Sequence, residues 1–283
     1  MSDRLADVSA RLEGIRQLDT VVNAMAGIAA ARARQARGQI DAVDAYAATI
    51  ASAMERIVGL APDADPQSAA AAPRTALVVF CAEQGFAGAF SERVLDAIGP
   101  DISKCEVFLI GSRGETLAAT RSIVADWRSA MPSHSPNIPK FADRVADALF
   151  GRIGSGEIDC LDAVFTAWKQ NGPVVERRRL FPVDLSAQAH DTSGDFPLLN
   201  LPAETLLVSL GRDYVHALIC NAALHAFAAE NEARMAAMAA ARNQIGRELT
   251  ALSALERRVR QEAITAEIIE LATGEAASRD RAR

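Results

Sequence analysis

What most constrains this chain is the absence of proline from two long stretches, one near each end. Residues 3–59 contain none, and Leu5, Val8, Leu12, Ile15, Leu18, Val22, Met25 and Ile28 follow one another at steps of three or four. That spacing sets them on one face of a helix as a coiled-coil-like seam. Asp3 stands where an N-cap is expected. Residues 203–277 again lack proline, and only Gly211, Gly246 and Gly274 could interrupt a helix there. Ile245, Leu249, Leu252, Leu255, Val259, Ile264, Ile268 and Leu271 form the second seam, and ARMAAMAAARNQIG offers Ala and Met for close approach of another helix. At 1.5 Å per residue the two helices would span on the order of 85 and 110 Å. A compact chain of this length has a radius of gyration of about 19 Å. Unbroken, neither helix fits inside such a globule. The simplest arrangement is a protruding antiparallel pair, which calls for a partner that surrounds or grips it.

The middle has a different texture. TALVVF, EVFLIG and LDAVFTAW, at residues 75–80, 106–111 and 161–168, are short apolar runs separated by helical patterns such as FADRVADALFGRI. Strands alternating with helices predict a small α/β domain with a mostly parallel sheet. Residues 174–185 read as a further strand, and Arg177 to Arg179 are too polar for a sheet centre, which places it at an edge. APDADPQSAAAAP, residues 61–73, reads as a linker or exposed loop, and QAHDTSGDFPLLNLP as a loop. The expected organisation is an N-terminal helix over 1–60, an α/β domain over 74–200 and a C-terminal helix over 203–283.

Composition narrows the function classes. A net charge of −6 argues against wholesale nucleic-acid binding. The four cysteines form no CxxC and fit reduced, buried thiols of a cytosolic protein. No uncharged apolar run approaches the roughly 18 residues of a spanning helix, so no direct membrane insertion is expected. The N-terminus, charged from its third residue, lacks the apolar core of a signal peptide. Half of the residues are apolar but only 5% are aromatic, and the abundant Ala favours helix and close helix contact.

Candidate sites are few. Gly85 and Gly88 follow a predicted strand and precede a helix, where phosphate loops occur. Their spacing is GxxG rather than GxGxxG, so a tight strand-to-helix turn is the better reading. GSRG, residues 111–114, has the same context. His134 and His190 sit in predicted loops, and His216 and His225 are nine residues apart on the long helix, so no metal or catalytic set forms. Glu267 and Glu270 make a carboxylate pair of the kind common on helix surfaces. Between Thr20 and Ile40 there is no acidic residue, while Arg32, Arg34 and Arg37 are present. This basic band is either a solvated face or a surface that slides past acidic groups of a partner.

The two ends together resemble a known family. RLEGIRQLDTVVNAMAGIAAARAR is similar to the N-terminal helix of the gamma subunits of F-type ATP synthases, with Ala24, Met25, Ile28, Ala29 and Ala30 matching. FCAEQGFAGAF is similar to that family's SDRGLCGGLN, keeping Gly85 and Gly88 but carrying Glu83, Phe86 and Ser91 for Asp, Leu and Asn. ENEARMAAMAAARNQI and RQEAITAEIIELATGEAA resemble the family's C-terminal motifs. Glu232, Ala233, Arg234, Met235, Ala237, Met238, Ala240 and Ala241 match in the first. Arg260, Gln261, Ala263, Ile264, Thr265, Glu267, Glu270 and Gly274 match in the second. Glu275 and the polar end SRDRAR depart from the family, and the altered glycine turn points to a divergent bacterial branch.

The resemblance implies a central-stalk rotor with a long antiparallel coiled coil and a Rossmann-like foot. It implies that Arg260, Gln261 and Thr265, with Glu267 beside them, face the catch loops of the catalytic beta subunits. Met25, with Arg32 and Arg34, would face the lower lobe of beta. The rotor would turn inside the alpha/beta hexamer and couple ion translocation to ATP synthesis or hydrolysis. It would perform no chemistry and need no cofactor. Its foot would meet the epsilon subunit and the membrane c-ring, peripherally, at the cytoplasmic face of a bacterial membrane. The competing readings are a non-rotary coiled-coil scaffold bridging partners and an enzyme built on the α/β domain.

Overall fold

The computed structural model describes residues 2–58, 73–170, 172–183 and 199–281. The chain runs α1 (Ser2–Val58), β1 (Thr75–Phe80), α2 (Phe90–Ile98), β2 (Glu106–Ile110), α3 (Ser112–Thr120), β3 (Trp127–Ser129), α4 (Ile138–Gly154), β4 (Cys160–Lys169), β5 (Gly172–Phe181) and α5 (Ala203–Arg281). It is a mixed α/β protein with two very long terminal helices of 57 and 79 residues. All but Pro73 of the expected linker at 61–73 and most of the predicted loop at 188–202 lie outside the described residues. Two compact units are present, one of residues 1–28 with 235–283, the other of residues 29–234.

The larger unit holds a five-stranded sheet in the order β3-β2-β1-β4-β5. The first four strands are parallel and β5 runs antiparallel at the edge beside β4. TALVVF has no apolar/polar alternation because both of its faces are covered. Ala76, Val78 and Phe80 join α4, α1 and α5 on one face, through Phe141, Val145, Ala36 and Ile219. Leu77 and Val79 meet Phe90 and Val94 of α2 and Ala118 of α3 on the other. β3 was not expected: three residues, WRS, carry no readable period, and only pairing with β2 at Phe108↔Trp127 creates the strand.

The edge placement of the arginine run is confirmed, and its chemistry becomes clear. Arg177 and Arg179 alternate along β5 and both bond the carboxylate of Asp162, which is 3% exposed in β4. Arg178 points to the opposite face. It donates to Asn221 Oδ1 at 2.8 Å, and Asn221 donates at 2.5 Å to Asp44, tying the edge strand to α5 and α1. Buried charge is tolerated here because every partner is supplied.

In the smaller unit α1 and α5 are antiparallel. Asp19 meets Arg242 at 3.7 Å and Arg4 meets Glu262 at 3.7 Å, so the facing residue falls on one helix as it rises on the other. Along α1 within this unit the buried and half-buried residues are Leu5, Val8, Leu12, Ile15, Asp19, Val22, Met25 and Ala26. Apart from Met25 these form two interleaved sets, each repeating every seventh residue, as a left-handed coiled coil requires. The expected seam departs from that repeat. Leu18 and Ile28 are 51% and 54% exposed, because steps of mostly three rotate away from a 3.5-residue seam. The α1 start at Ser2 also precedes the expected cap at Asp3.

The expected seam at the far end of α5 needs a larger correction. Val259 is buried and Ala263 half-buried, but Ile264, Ile268 and Leu271 are 52%, 61% and 68% exposed. The register explains this. With Arg4 opposite Glu262, α1 has no described residue left to face α5 beyond about residue 264.

Candidate functional sites on the helical end and at the glycine turns

Of the polar residues singled out near the C-terminus, Thr265 and Glu267 lie on this unpartnered part of α5, while Arg260 and Gln261 lie just before it. Gln261 and Thr265, one turn apart, share a shallow open groove with Arg258, Glu262, Ala266 and Ile269. The Thr265 hydroxyl donates to the Gln261 carbonyl at 2.8 Å, which leaves its lone pairs and the whole Gln261 amide facing outward. Arg260 stands apart from the groove and pairs with Glu256 at 2.7 Å on its own helix. Glu267 is exposed. The structure therefore brings Gln261 and Thr265 together and holds Arg260 one step round the helix.

On α1 the expected basic set separates. Met25 is half-buried in the small cluster of Val22, Met238 and Ile245. Arg34 is exposed, whereas Arg32 donates to Gln84 Oε1 at 3.3 Å. Arg37 bonds the carboxylate of Glu232. Two of the three arginines in the band thus have acidic or amide partners within the chain itself, so it is not a uniformly free basic face.

The glycine turns hold the most organised polar site. Gly88 takes φ of +57°, which supports the expected tight turn between β1 and α2. Phe86 shares that left-handed region and is 66% exposed. The backbone N–H groups of Glu83 and Gln84 both point at the carboxylate of Glu230 on α5, at 3.1 Å each. Arg234, one turn further along, pairs with Glu230 at 2.5 Å, donates to the Gly85 carbonyl at 3.1 Å and to Asn231 Oδ1 at 2.9 Å. The Glu230 and Arg234 side chains are only 5% and 6% exposed.

Glu83 repeats the pattern on the neighbouring turn. Its carboxylate accepts the Ser112 N–H at the start of α3 at 3.0 Å, the Ser112 hydroxyl at 2.8 Å and the Met131 N–H at 2.9 Å. An anion at a helix N-terminus is favoured by the unpaired N–H groups and the helix dipole. Here the anion is the protein's own. The GSRG glycines serve packing: a Cβ on Gly111 would lie 2.4 Å from the Cys81 carbonyl oxygen, and one on Gly114 would lie 2.3 Å from Cys81 Cβ. Ser91, standing for the family's Asn, still accepts the Ala82 N–H at 3.0 Å.

In an open α/β sheet of this order the topological switch lies between β1 and β4, where such folds usually leave a ligand crevice beyond the strand ends. The crevice after β1 is occupied by Glu230 and Arg234. Around them Arg32, Pro132, Ser133 and Phe227 leave only about 10 Å³, the lower limit for a single water. Glu230 was missed in the sequence. Counting back from Arg234, it is the acidic residue one helical turn away, whereas Glu232 faces Arg37. An i, i+4 Glu–Arg pair was legible; its burial was not.

His216, His225, Cys81 and Cys220 are tied into the fold. His216 contacts Asp143 at 3.0 Å and the Pro139 carbonyl at 3.2 Å. His225 stacks on Phe165 with centroids 5.8 Å apart. Burial pushes the Cys81 and Cys220 thiols up to about 12. Among the described residues no helix is long and apolar enough to cross a membrane.

Comparison with known proteins covers nearly the whole length. The profile of the family described as ATP synthase matches residues 4–277. The ATP synthase gamma chain of Anaeromyxobacter dehalogenans (strain 2CP-C) is 27% identical over 286 residues, covering 95% of this chain and 98% of the relative. That of Solibacter usitatus (strain Ellin6076) is 27% identical over 293 residues, covering 97% and 99%. Among solved structures, the rotor of the Euglena gracilis mitochondrial ATP synthase in rotational state 1 aligns with a TM-score of 0.61 at 16% identity, over 93% of this chain and 100% of that one. At that identity the structural likeness speaks for the fold.

Proposed function

The chain belongs to the ATP synthase family, and from that premise we propose how its parts serve a gamma subunit, the central-stalk rotor of the F1 sector. The two-helix unit is the shaft, and the sheet-bearing residues between about 74 and 200 are the foot. The alpha/beta hexamer surrounds the shaft, while epsilon and the c-ring engage the foot. The subunit performs no chemistry of its own. It works peripherally, at the cytoplasmic face of a bacterial membrane, by presenting different faces in turn to each catalytic subunit.

The observation that carries this reading is the end of α5. From Ile264 to Thr273 every residue is exposed, including Ile264, Ile268, Ile269 and Leu271. A cluster of large apolar side chains left in water on an otherwise regular helix marks an interaction surface. Gln261 sits just before it and Thr265 within it, where a surrounding beta loop can bond them. Arg260 contributes its charge from the adjacent face, with Glu267 beyond; on α1, Met25 with Arg32 and Arg34 would face the lower lobe of beta.

The test is the double change Arg260→Ala with Gln261→Ala in the assembled complex. Both side chains are peripheral to the helix pair, so stability should move by no more than about 0.5 kcal/mol. Each charge-assisted hydrogen bond to a catch loop is worth roughly 1.5–3 kcal/mol. Complex assembly should therefore persist in part while ATP turnover falls severalfold. Wild-type turnover in an assembled double variant would show this face to be solvated only. A complex containing one copy of the chain per alpha/beta hexamer separates the rotor from a bridging scaffold.

A further inference from the structure

We infer that Glu230, Arg234 and Glu83 form a positioning relay that keys α5 to the sheet against rotational slip; this rests on the rotor reading above. Where α5 crosses the sheet, many of the residues it offers are small: Ala222, Ala223, Ala226, Ala229 and Ala233 are all buried, with Ile219, Leu224 and Phe227 the larger side chains among them. Small side chains let backbones approach closely, but they interlock poorly with their neighbours. Apolar contact is non-directional, so it resists separation better than it resists turning or sliding of a smooth helix. Hydrogen bonds between charged groups are directional and lose strength steeply when misaligned.

The relay supplies that direction at one end of the sheet. Glu230 takes two successive backbone N–H groups, one on each carboxylate oxygen. Arg234 grips the Gly85 carbonyl of the same turn and holds Glu230 in place. From that turn Glu83 reaches on to the N-terminus of α3 and to Met131, just past β3. A torque on α5 therefore reaches the β1–α2 turn, α3 and the β3 end through a continuous chain of charged contacts. No bound ligand is required, since each anion position at the turns is filled from within the chain.

The carboxylate form of Glu230 is essential to this geometry. A glutamine there has one acceptor and one NH₂ group, so it sets a donor against one of the two N–H groups. Glu83 is half-exposed, and its truncation removes the second step with less risk to folding.

The experiment uses the complete complex in sealed vesicles carrying Glu230→Gln or Glu83→Ala, with ATP hydrolysis and ATP-driven ion pumping measured on the same preparation. Hydrolysis should stay within about twofold of wild type, while ions pumped per ATP fall at least threefold for Glu230→Gln and less for Glu83→Ala. Unchanged pumping per ATP in both variants overturns the relay. So does a parallel loss of hydrolysis and pumping that tracks loss of the chain from the complex, because that is a purely structural role. If the wild-type chain does not enter an alpha/beta complex, the rotor reading itself fails, and this is seen before either variant is compared.

Discussion

His225 shows how a single side chain in this protein answers to its surroundings. Burial against Phe165 and the nearby Arg178 guanidinium lower its pKa from the ordinary 6.5. The unfolded chain therefore takes up the proton at higher pH than the folded one, and stability falls as pH drops through and below that ordinary value. His225→Leu removes the titrating group while keeping an apolar side chain. Chemical unfolding of the full chain at about pH 7.5 and about pH 5.5 should show a larger loss for wild type than for the variant. Equal losses would mean that His225 is not the group responsible. Glu230 makes the same point for charge: buried at the turn, it is tolerated because two N–H groups and Arg234 meet it. Removing one partner of such a pair costs about 3–5 kcal/mol.

At the scale of the element, the seven-residue repeat of α1 sorts its apolar residues into two kinds. Leu12 is 2% exposed inside the repeat, while Leu18 and Ile28 are more than half exposed outside it. Leu12→Ala should cost about 2–5 kcal/mol through lost burial and the cavity left behind. Ile264→Ala, at a residue that sequence spacing assigned to the seam, should leave stability within about 0.5 kcal/mol, because its side chain is 52% exposed. Thermal melting of the two variants checks both. A destabilising Ile264→Ala would require a cover for that face within the isolated chain. In the assembled complex the same change should matter, since on the proposed rotor reading the surrounding subunits meet α5 there.

At the scale of the whole molecule, the two compact units are held by different means. The unit of residues 29–234 has two apolar clusters, one on each face of the sheet, together with the charged ties of Asp162 and Glu230. The unit formed by the two chain ends has the small cluster of Val22, Met238 and Ile245 with its half-buried neighbours. Segments with few buried apolar contacts open at lower free energy. Amide exchange on the isolated chain should therefore be faster over residues 4–28 and 238–273 than over α1 and α5 within 29–58 and 203–234. Assembly with alpha and beta should slow the first set far more than the second. Equal protection in the isolated chain would contradict this division.

Periodicity and proline placement were sufficient to determine the two terminal helices, and uniform apolar runs were sufficient for β1, β2 and β4, because these signals arise from each segment's own pattern of burial. The arginine run placed β5 at an edge for the same reason: three charges need solvent or partners. The motifs at the two ends carried the family and the polar face of Gln261 and Thr265. Three features depended on the fold. β3 exists only because β2 offers a ladder to a segment with little propensity of its own. The exposure of Ile264, Ile268 and Leu271 depends on the register of α1 against α5, which is set between distant segments. Glu83 and Glu230 look like surface acids in sequence, and lie 147 residues apart in the chain. Only the crossing of α5 over the end of β1 brings one carboxylate onto the other's backbone, at the place where an open α/β sheet would otherwise have room for a ligand.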